Sequence, residues 1–144
     1  MFLGTFNHSL DSKNRLVLPS KIANKINGEI VVSKGFDGCL ELRTLVEFET
    51  YSQKLMQLSQ NKKDSRIVIR QLLANAIDLS LDSAKRILIP TNLLAESNIT
   101  KDVVIIGLGN KLEIWDKERY LKFKADTDAT FESIAESLPE NSND

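Results

Sequence analysis

The chain contains an internal repeat, which constrains its fold more than any other feature of the sequence. Residues 9–20 read SLDSKNRLVLPS, and residues 80–91 read SLDSAKRILIPT, 71 positions later. Six of the twelve paired positions are identical, and four more exchange one residue for a chemically similar one. The match resumes one position out of register, where LEL at 40–42 aligns with LEI at 112–114. The sequence therefore predicts two similar halves.

Both copies show the same pattern of local structure. A polar tetrapeptide beginning at Asp11 separates two β-favouring segments, and Pro19 ends the second of them, which is typical of a hairpin. After the proline a short helix is expected over Ser20–Asn27, with Gly28 as its stop. Residues 30–33 and 39–43 flank a turn with two glycines at 35–38, which predicts a second hairpin.

Helices are predicted between and after the copies. Thr44 begins a capping box, which predicts a helix start. Ser65 could cap a helix that runs to Ala76, although residues 67–69 also fit a strand. Near the C-terminus an apolar stripe with acids on the other face predicts a helix docked on its own chain or on a neighbouring protomer. The stripe consists of Phe131, Ile134, Ala135 and Leu138. The chain beyond Pro139 is expected to be disordered.

The repeat also predicts a cationic face. Each half has about 45–50 residues, too few to bury a core well by itself, so the halves are expected to pack as a pseudo-dimer within one chain. Its pseudo-two-fold axis would place Lys13 and Arg15 of one turn beside Lys85 and Arg86 of the other. Paired cationic loops suit a DNA duplex, whose phosphates repeat with their own two-fold symmetry.

The charge distribution is compatible with such a partner, although the net charge is −1. Six acids and no Lys or Arg lie within residues 125–144, so residues 1–124 carry a net charge of +5. The sequence thus indicates a mildly basic body with an acidic tail. Charge alone also fits an ordinary solvated surface of both signs.

The sequence contains no recognisable catalytic or metal-binding constellation. His8 and Cys39 are the only histidine and cysteine, so one chain has neither an internal disulfide nor a four-ligand zinc site made from these residues. Glu41 and Glu113 match across the repeat, but no neighbouring nucleophile supports an acid/base pair. We therefore expect no enzymatic activity, no cofactor, no small-molecule substrate and no membrane segment. An enzyme acting on phosphates has only the cationic loops in its favour.

These motifs resemble the MraZ family. The resemblance rests on the blocks DSKNRLVLP and DSAKRILIP, on the N-terminal Met-Phe-x-Gly and on residues 70–73 and 112–116, and it covers roughly residues 1–138. Each copy looks like a SpoVT-AbrB domain. This implies an α+β, β-rich fold in which two tandem AbrB-like swapped-hairpin β-barrel halves form the pseudo-dimer, with flanking helices. We divide the chain into domains at residues 5–47 and 76–119, a helical connector at 48–75 and a helical tail at 120–138.

The resemblance implies a bacterial DNA-binding transcriptional regulator of the division and cell-wall gene cluster. It further implies a ring-like homo-oligomer that binds repeated upstream sites, in the cytoplasm and associated with the nucleoid. The alternative is an antitoxin-like protein-binding module of the same fold. Antitoxins of this fold usually have one barrel copy and a long disordered tail, so two copies and a short tail argue against this alternative.

The family's DxxxR motif carries over onto Asp11 and Arg15, and onto Asp82 and Arg86. The family usually has glycine before each arginine, where this chain has Asn14 and Lys85. A left-handed backbone conformation at a lysine is destabilising by roughly 1 kcal/mol. The sequence therefore leaves open whether the second turn has the same shape as the first. We expect the two aspartates to shape the turns. The residues predicted to contact DNA are Lys13, Asn14, Arg15, Lys85 and Arg86.

Overall fold

The computed structural model of the chain describes residues 1–139, which form eight β-strands and six helices. In chain order these are β1 (Phe2–Ser9), β2 (Arg15–Val17), α1 (Ser20–Ala23), β3 (Ile30–Lys34), β4 (Leu40–Thr44), α2 (Leu45–Met56), α3 (Lys63–Leu73), β5 (Ile77–Leu79), β6 (Arg86–Leu88), α4 (Thr91–Ser97), β7 (Asp102–Gly109), β8 (Leu112–Asp116), α5 (Lys117–Asp128) and α6 (Phe131–Ser137). The succession β-β-α-β-β-α-α occurs twice. The repeated sequence therefore produces a repeated order of elements.

The strands of the two repeats are interleaved. Six strands form an antiparallel sheet in the order β1-β7-β8-β4-β3-β5, and β2 and β6 form a separate antiparallel ladder. The first strand of each repeat pairs with the third strand of the other, because β1 lies beside β7 and β5 lies beside β3. Neither repeat completes its own strand pairing, so each needs the other.

Two cross-strand pairs mark a pseudo-two-fold axis. Glu41 faces Glu113 in the β4–β8 ladder, and Leu16 faces Ile87 in the β2–β6 ladder. Each pair joins equivalent positions of the two repeats. A residue that faces its own counterpart across an antiparallel ladder lies beside a two-fold axis, so the axis passes through both ladders.

A single hydrophobic core lies between the repeats. Its fully buried members from the first repeat include Leu16, Leu18, Ile22, Ile30, Leu40 and Leu42, and those from the second include Ile87, Ile89, Leu93, Ile105, Leu112 and Ile114. The fold combines helices with antiparallel sheet, so the predicted α+β class is confirmed. Within residues 1–139 the two sheets are open in their strand order, and a closed barrel is not among the ladders.

The prediction that the first turn of each repeat joins the two strands of a hairpin is wrong. The tetrapeptide turns are present, but β1 and β2 leave the first turn to pair with β7 and β6, and β5 and β6 likewise separate. Alternation of apolar residues identifies a strand and its buried face, whereas it carries no information about which strand lies next to it. The second predicted hairpin, β3–β4, is confirmed.

The helices follow the sequence signals with shifted ends. The Thr44 hydroxyl accepts a hydrogen bond from the Glu47 backbone N–H at 3.3 Å, which confirms the predicted start of α2. Residues 67–69 are helical, and α3 begins at Lys63 rather than at Ser65. The helix after Pro19 is shorter than predicted, since α1 has four residues. No helix within residues 1–139 has the length and apolar character needed to cross a membrane.

Phe131, Ile134 and Ala135 of the C-terminal stripe lie in α6 and Leu138 follows its last residue, but the predicted docking of the stripe on its own chain is wrong. The exposed fractions of Phe131, Ile134 and Leu138 are 67%, 50% and 64%. Helical spacing identifies an apolar face but not the surface that covers it, so docking on a neighbouring protomer, the other surface predicted for the stripe, stays a prediction. The predicted disorder beyond Pro139 concerns residues outside the described range.

Candidate nucleic-acid interface

The Asp11 carboxylate organises the first turn. Its Oδ1 accepts hydrogen bonds from the backbone N–H groups of Lys13 and Arg15, both at 2.9 Å. Its Oδ2 accepts from Arg15 Nε at 2.7 Å. The backbone is closed by the Asn14 N–H, which donates to the Asp11 carbonyl at 3.0 Å. One side chain therefore fixes both the course of the loop and the direction of the arginine.

The second turn has the same geometry. Asp82 Oδ1 accepts from the backbone N–H groups of Ala84 and Arg86 at 2.9 Å, and Oδ2 accepts from Arg86 Nε at 2.8 Å. The φ angles of Asn14 and Lys85 are 61° and 62°. Lys85 thus adopts the left-handed conformation that its position requires. The hydrogen bonds of the Asp82 carboxylate offset the backbone strain of about 1–2 kcal/mol.

Both aspartates are held in their ionised form. The hydrogen bond from the Arg15 backbone N–H has the largest effect and lowers the pKa of Asp11. Burial opposes it, and the Arg15 guanidinium and the Lys13 amide lower the pKa further. The pKa of Asp82 is lowered in the same way, by Arg86 first. Of each guanidinium group, only the Nε is bonded to the carboxylate. Within residues 1–139 the Nη groups of Arg15 and Arg86 donate no hydrogen bond, so they are available to a ligand.

The two turns are joined directly by the β2–β6 ladder. Leu18 N–H donates to the Lys85 carbonyl at 3.0 Å, and Ile89 N–H donates to the Asn14 carbonyl at 3.1 Å. The residue at the strained position of each turn is therefore bonded to the strand of the other repeat. The turns and the ladder form one structural unit, which we call the ribbon (residues 11–18 and 82–89).

The ribbon has one buried and one open face. Leu16 and Ile87 point into the core, with 0% and 1% of their surface exposed. Because side chains alternate along a strand, the neighbours of these two residues share the outer face. That face carries Arg15, Val17, Arg86 and Leu88. Arg15 and Arg86 are diagonal neighbours across the ladder, a separation within reach of long side chains.

Two residues of the outer face were not predicted as site residues. Val17 and Leu88 are 43% and 57% exposed, although both are apolar. The signal was the alternation within RLVL and RILI, where only every second residue can face the core. Leu88 lies opposite Arg15 and Val17 lies opposite Arg86 across the ladder, which makes both residues part of the candidate site.

The predicted lysines occupy different places in the two turns. Lys13 is the third residue of its turn, where the second turn has Ala84, and Lys85 is the fourth, where the first has Asn14. Both lysines are exposed, whereas both arginines are half-buried. Each turn therefore presents one oriented arginine and one exposed lysine, and the site is only approximately symmetric.

The matched glutamates form a buried ion network. Glu41 and Glu113 face each other, as their repeat positions imply. Glu41 is 1% exposed and contacts Arg43 Nη1 at 2.7 Å and Lys111 Nζ at 2.8 Å. Trp115 Nε1 donates to Glu113 at 2.9 Å. These carboxylates are satisfied by cations and an indole, so their role is structural.

Comparison with known proteins agrees with the repeat. A family model described as "MraZ protein, putative antitoxin-like" matches residues 1–71 and, a second time, residues 72–141. The chain belongs to the MraZ family. The resemblance inferred from the two DxxxR blocks is thereby confirmed, and the two matches divide the chain where the repeats meet.

Curated MraZ relatives match over nearly their whole length. A protein named transcriptional regulator MraZ from Mesoplasma florum is 45% identical over 139 residues, covering 96% of this chain and 95% of the relative. One of the same name from Mycoplasmoides gallisepticum is 44% identical over 141 residues, covering 98% and 99%. A third, from Pediococcus pentosaceus, is 41% identical over 138 residues, covering 96% of each chain. These names agree with the predicted class of transcriptional regulator.

Proposed function

We propose that this MraZ-family chain regulates transcription, not as an enzyme, but by binding double-stranded DNA through the outer face of the ribbon. The observation that carries the proposal is the pair of matching Asp–Arg turns on one rigid ladder. Each arginine has its Nε held by an aspartate and its Nη groups free within the described chain. A side chain ordered in advance loses less entropy on binding, so it favours specific recognition.

The cationic residues of the ribbon are assigned either to the DNA bases or to the DNA backbone. Arginine is suited to the O6 and N7 acceptors of guanine, and this role is assigned to Arg15 and Arg86. Lysine acts as a mobile point charge, and Lys13 and Lys85 are assigned to phosphates. Asn14 lies between Lys13 and Arg15 and is assigned to the DNA backbone or a base edge. The two aspartates keep the turns in shape.

The apolar part of the face adds a further contact. The major groove of B-DNA admits a two-stranded β-ribbon, and the thymine C5-methyl group is its one apolar feature. Val17 and Leu88 lie on the outer face beside the arginines and are exposed. We assign them to contacts with thymine methyl groups.

The symmetry of the ribbon limits the form of the DNA site. The pseudo-two-fold axis between Leu16 and Ile87 relates one turn to the other. A two-fold arrangement of readers favours a pseudo-palindromic sequence. The unequal placement of Lys13 and Lys85 makes the two half-sites similar but not identical.

The proposal also includes the domain boundaries, the barrel formed by the two halves and the oligomer. The chain divides into SpoVT-AbrB-like domains at residues 5–47 and 76–119, a connector at 48–75 and a tail at 120–138. The halves form a swapped-hairpin barrel, which the pairing of β1 with β7 and of β5 with β3 supports. Because one copy offers few cations, a ring-like homo-oligomer binds repeated sites upstream of the division and cell-wall gene cluster, on the nucleoid.

A second function is favoured by the description of the family model. The words "putative antitoxin-like" fit a module that binds another protein. In that case the ribbon would keep its DNA role while a separate segment held the partner. A protein partner bound at the ribbon itself would compete with DNA. Competition between the two would therefore distinguish this arrangement from one in which a separate segment holds the partner.

The test is a gel shift on DNA upstream of this protein's own operon. Arg15→Ala and Arg86→Ala should each weaken specific binding by about 1–3 kcal/mol per contacted base, roughly 5- to 150-fold. Lys122→Ala, which removes one exposed cation from α5, is the matched control and should bind as wild type. Wild-type affinity in both arginine variants, with folding intact, would refute the proposal.

A further inference from the structure

The two turns share a serine whose hydroxyl has no partner in the described chain. Aspartate, serine and arginine hold the same places in both turns, and the aspartate and the arginine are bonded to each other. The serines, Ser12 and Ser83, are exposed. Within residues 1–139 neither of these hydroxyls makes a hydrogen bond. A side chain that both repeats carry without an internal role is suited to contact a ligand.

A second pair of hydroxyls follows the strands of the ribbon. Ser20 and Thr91 occupy equivalent positions in the two repeats and are the first residues of α1 and α4. Both are exposed, and over the part of the chain that the structure describes their hydroxyls form no hydrogen bond. Both repeats therefore carry an unbonded surface hydroxyl at two matching positions.

Each of these helix starts lies beside the turn of the other repeat. The N–H of Leu18 donates to the Lys85 carbonyl in the second turn at 3.0 Å. Ser20 comes two residues after Leu18, and two residues of extended chain span at most about 7 Å. By the same connection through Ile89, Thr91 lies beside the first turn. The helix-start hydroxyl of one repeat is thus combined with the turn of the other.

Each end of the ribbon therefore presents two hydroxyls and a lysine. The first end has Ser12, Lys13 and Thr91, and the second has Ser83, Lys85 and Ser20. Serine and threonine hydroxyls, like lysine, are among the groups that bind the phosphate oxygens of DNA. A hydroxyl donates one hydrogen bond to such an oxygen without adding charge. The two arginines assigned to the bases lie between these ends.

The length of the ribbon matches the width of the major groove. Asn14 is bonded to the opposite strand at one end and Leu18 at the other, and the four residues of chain between them span about 13 Å. The major groove of B-DNA is about 12 Å wide. With the ribbon laid across the groove, each end therefore lies at one of the two sugar–phosphate backbones that border it.

We propose that the two ends of the ribbon are phosphate clamps, one for each strand of the duplex. Ser12 and Thr91 donate hydrogen bonds to phosphate oxygens of one strand. Ser83 and Ser20 donate to phosphate oxygens of the other. This inference rests on the proposed DNA binding and names the side chains that fix the ribbon on the DNA backbone. A single strand offers one backbone, so it engages one end only.

Removing the hydroxyls from the full-length chain tests the clamps. Ser12→Ala and Ser83→Ala should each weaken binding roughly tenfold, because each loses a hydrogen bond to a charged group. The loss should be the same for the operator and for unrelated DNA, since a phosphate contact carries no sequence information. Neither variant changes the charge of the protein, so the slope of log K against log salt should keep its wild-type value.

Two controls accompany these variants. Ser12→Thr keeps the hydroxyl and should keep the wild-type affinity. Ser59→Ala removes an exposed serine hydroxyl from the loop between α2 and α3, away from the ribbon in sequence, and should bind as wild type. Loss of affinity in Ser12→Ala together with its retention in both controls therefore assigns the effect to the hydroxyl of the turn.

DNA that carries single uncharged methylphosphonates locates the contacts. Wild type should lose affinity at particular phosphates on each strand, and a variant without the contacting hydroxyl should respond less at its phosphate. Double-mutant cycles should couple Ser12 and Thr91 to phosphates of one strand. Ser83 and Ser20 should couple to phosphates of the opposite strand. Coupling of all four to the same strand, or of none to any phosphate, would overturn the clamps.

The remaining outcomes separate the clamps from other roles. A loss of affinity confined to the operator would make the serines base readers, and a lower urea midpoint in Ser12→Ala would make its hydroxyl structural. Either result overturns the clamps. If Ser12→Ala/Ser83→Ala binds as wild type while Arg15→Ala binds weakly, the clamps are refuted and the proposed function stands. If the wild type binds no DNA, the proposed function and the clamps both fail.

Discussion

Leu16 and Ile87 lie directly opposite each other at the centre of the β2–β6 ladder, and both are almost fully buried. They hold equivalent positions in the two repeats, so this one contact lies on the pseudo-two-fold axis. Their side chains belong to the shared core, while their strand neighbours form the outer face of the ribbon. The surface assigned to DNA is therefore held in place by the core.

This contact predicts that the two repeats unfold together. Ile87→Ala should lower the free energy of unfolding by about 2–5 kcal/mol, because it removes buried methyl groups and leaves a cavity. Leu88→Ala, one residue along the same strand and 57% exposed, is the matched control and should change it by less than about 0.5 kcal/mol. Urea denaturation followed by far-UV circular dichroism measures both. Two separate transitions would contradict the shared core.

The sequence predicted the local features of the site because local chemistry determines them. An aspartate at the start of a turn bonds the backbone ahead of it, and this alone places Asp11 and Asp82 correctly. The identity of the twelve-residue blocks also predicted that the turns would be equivalent. The same reasoning left Lys85 uncertain, because its strain is offset by bonds of the Asp82 carboxylate that a sequence pattern does not show.

The pairing of the strands could not be predicted in the same way. Nothing in the sequence of β1 specifies its neighbour, and its partner β7 is about a hundred residues away. Val17 is exposed because its neighbour Leu16 is buried on the opposite face of the strand. The buried face could be assigned only from the β2–β6 ladder. Burial of Glu41 likewise depends on Lys111, which lies 70 residues away in the chain, as well as on Arg43 of its own strand.

The turns also predict a pH dependence of stability. The folded pKa values of Asp11 and Asp82 are lowered, so their stabilising effect is complete above the unfolded value of about 3.9 and is lost as the pH falls through the folded value. Asp11→Asn/Asp82→Asn should therefore lose less stability than wild type between pH 5 and pH 2. Urea midpoints across this range measure the difference, and each single variant should show part of it. An unchanged acid profile would contradict the lowered pKa values.

The lysines predict a specific salt dependence of DNA binding. Lys13→Ala should weaken binding to specific and to unrelated DNA by similar factors, because a phosphate contact carries no sequence information. It should also reduce the slope of log K against log salt by about 1. Titration at several salt concentrations measures the slope, with Lys54→Ala on α2 as the control. A loss confined to the specific site would instead make Lys13 a base reader.

The exposed apolar residues predict sensitivity to thymine methyl groups. Replacing the operator thymines with uracil removes only the methyl group, so wild type should bind the substituted site more weakly. Val17→Ala/Leu88→Ala should bind the normal operator more weakly than wild type and should respond less to the substitution. The four affinities form a double-mutant cycle, whose coupling energy isolates the contact. A coupling energy near zero would show that Val17 and Leu88 do not contact the thymine methyl groups.

The last prediction concerns the buried ion network below α2. Within residues 1–139 the buried hydroxyl of Tyr51 has no hydrogen-bond partner, while its ring lies 3.7 Å from the guanidinium carbon of Arg43. Burial raises the pKa of Tyr51, and the charge of Glu41 acts in the same direction, so the hydroxyl stays neutral. Tyr51→Phe keeps the ring and removes an unsatisfied polar group, whose burial costs about 1–3 kcal/mol.

Stability should therefore stay constant or rise in Tyr51→Phe. Tyr51→Leu should lower it, because the cation–π contact with Arg43 is lost. Arg43→Met should lower it further, by about 3–5 kcal/mol, since Glu41 then keeps a buried charge with Lys111 as its remaining cation. Urea midpoints at neutral pH order the three variants. A Tyr51→Phe variant less stable than wild type by more than about 1 kcal/mol would mean that the hydroxyl is bonded in solution and that the network extends to Tyr51.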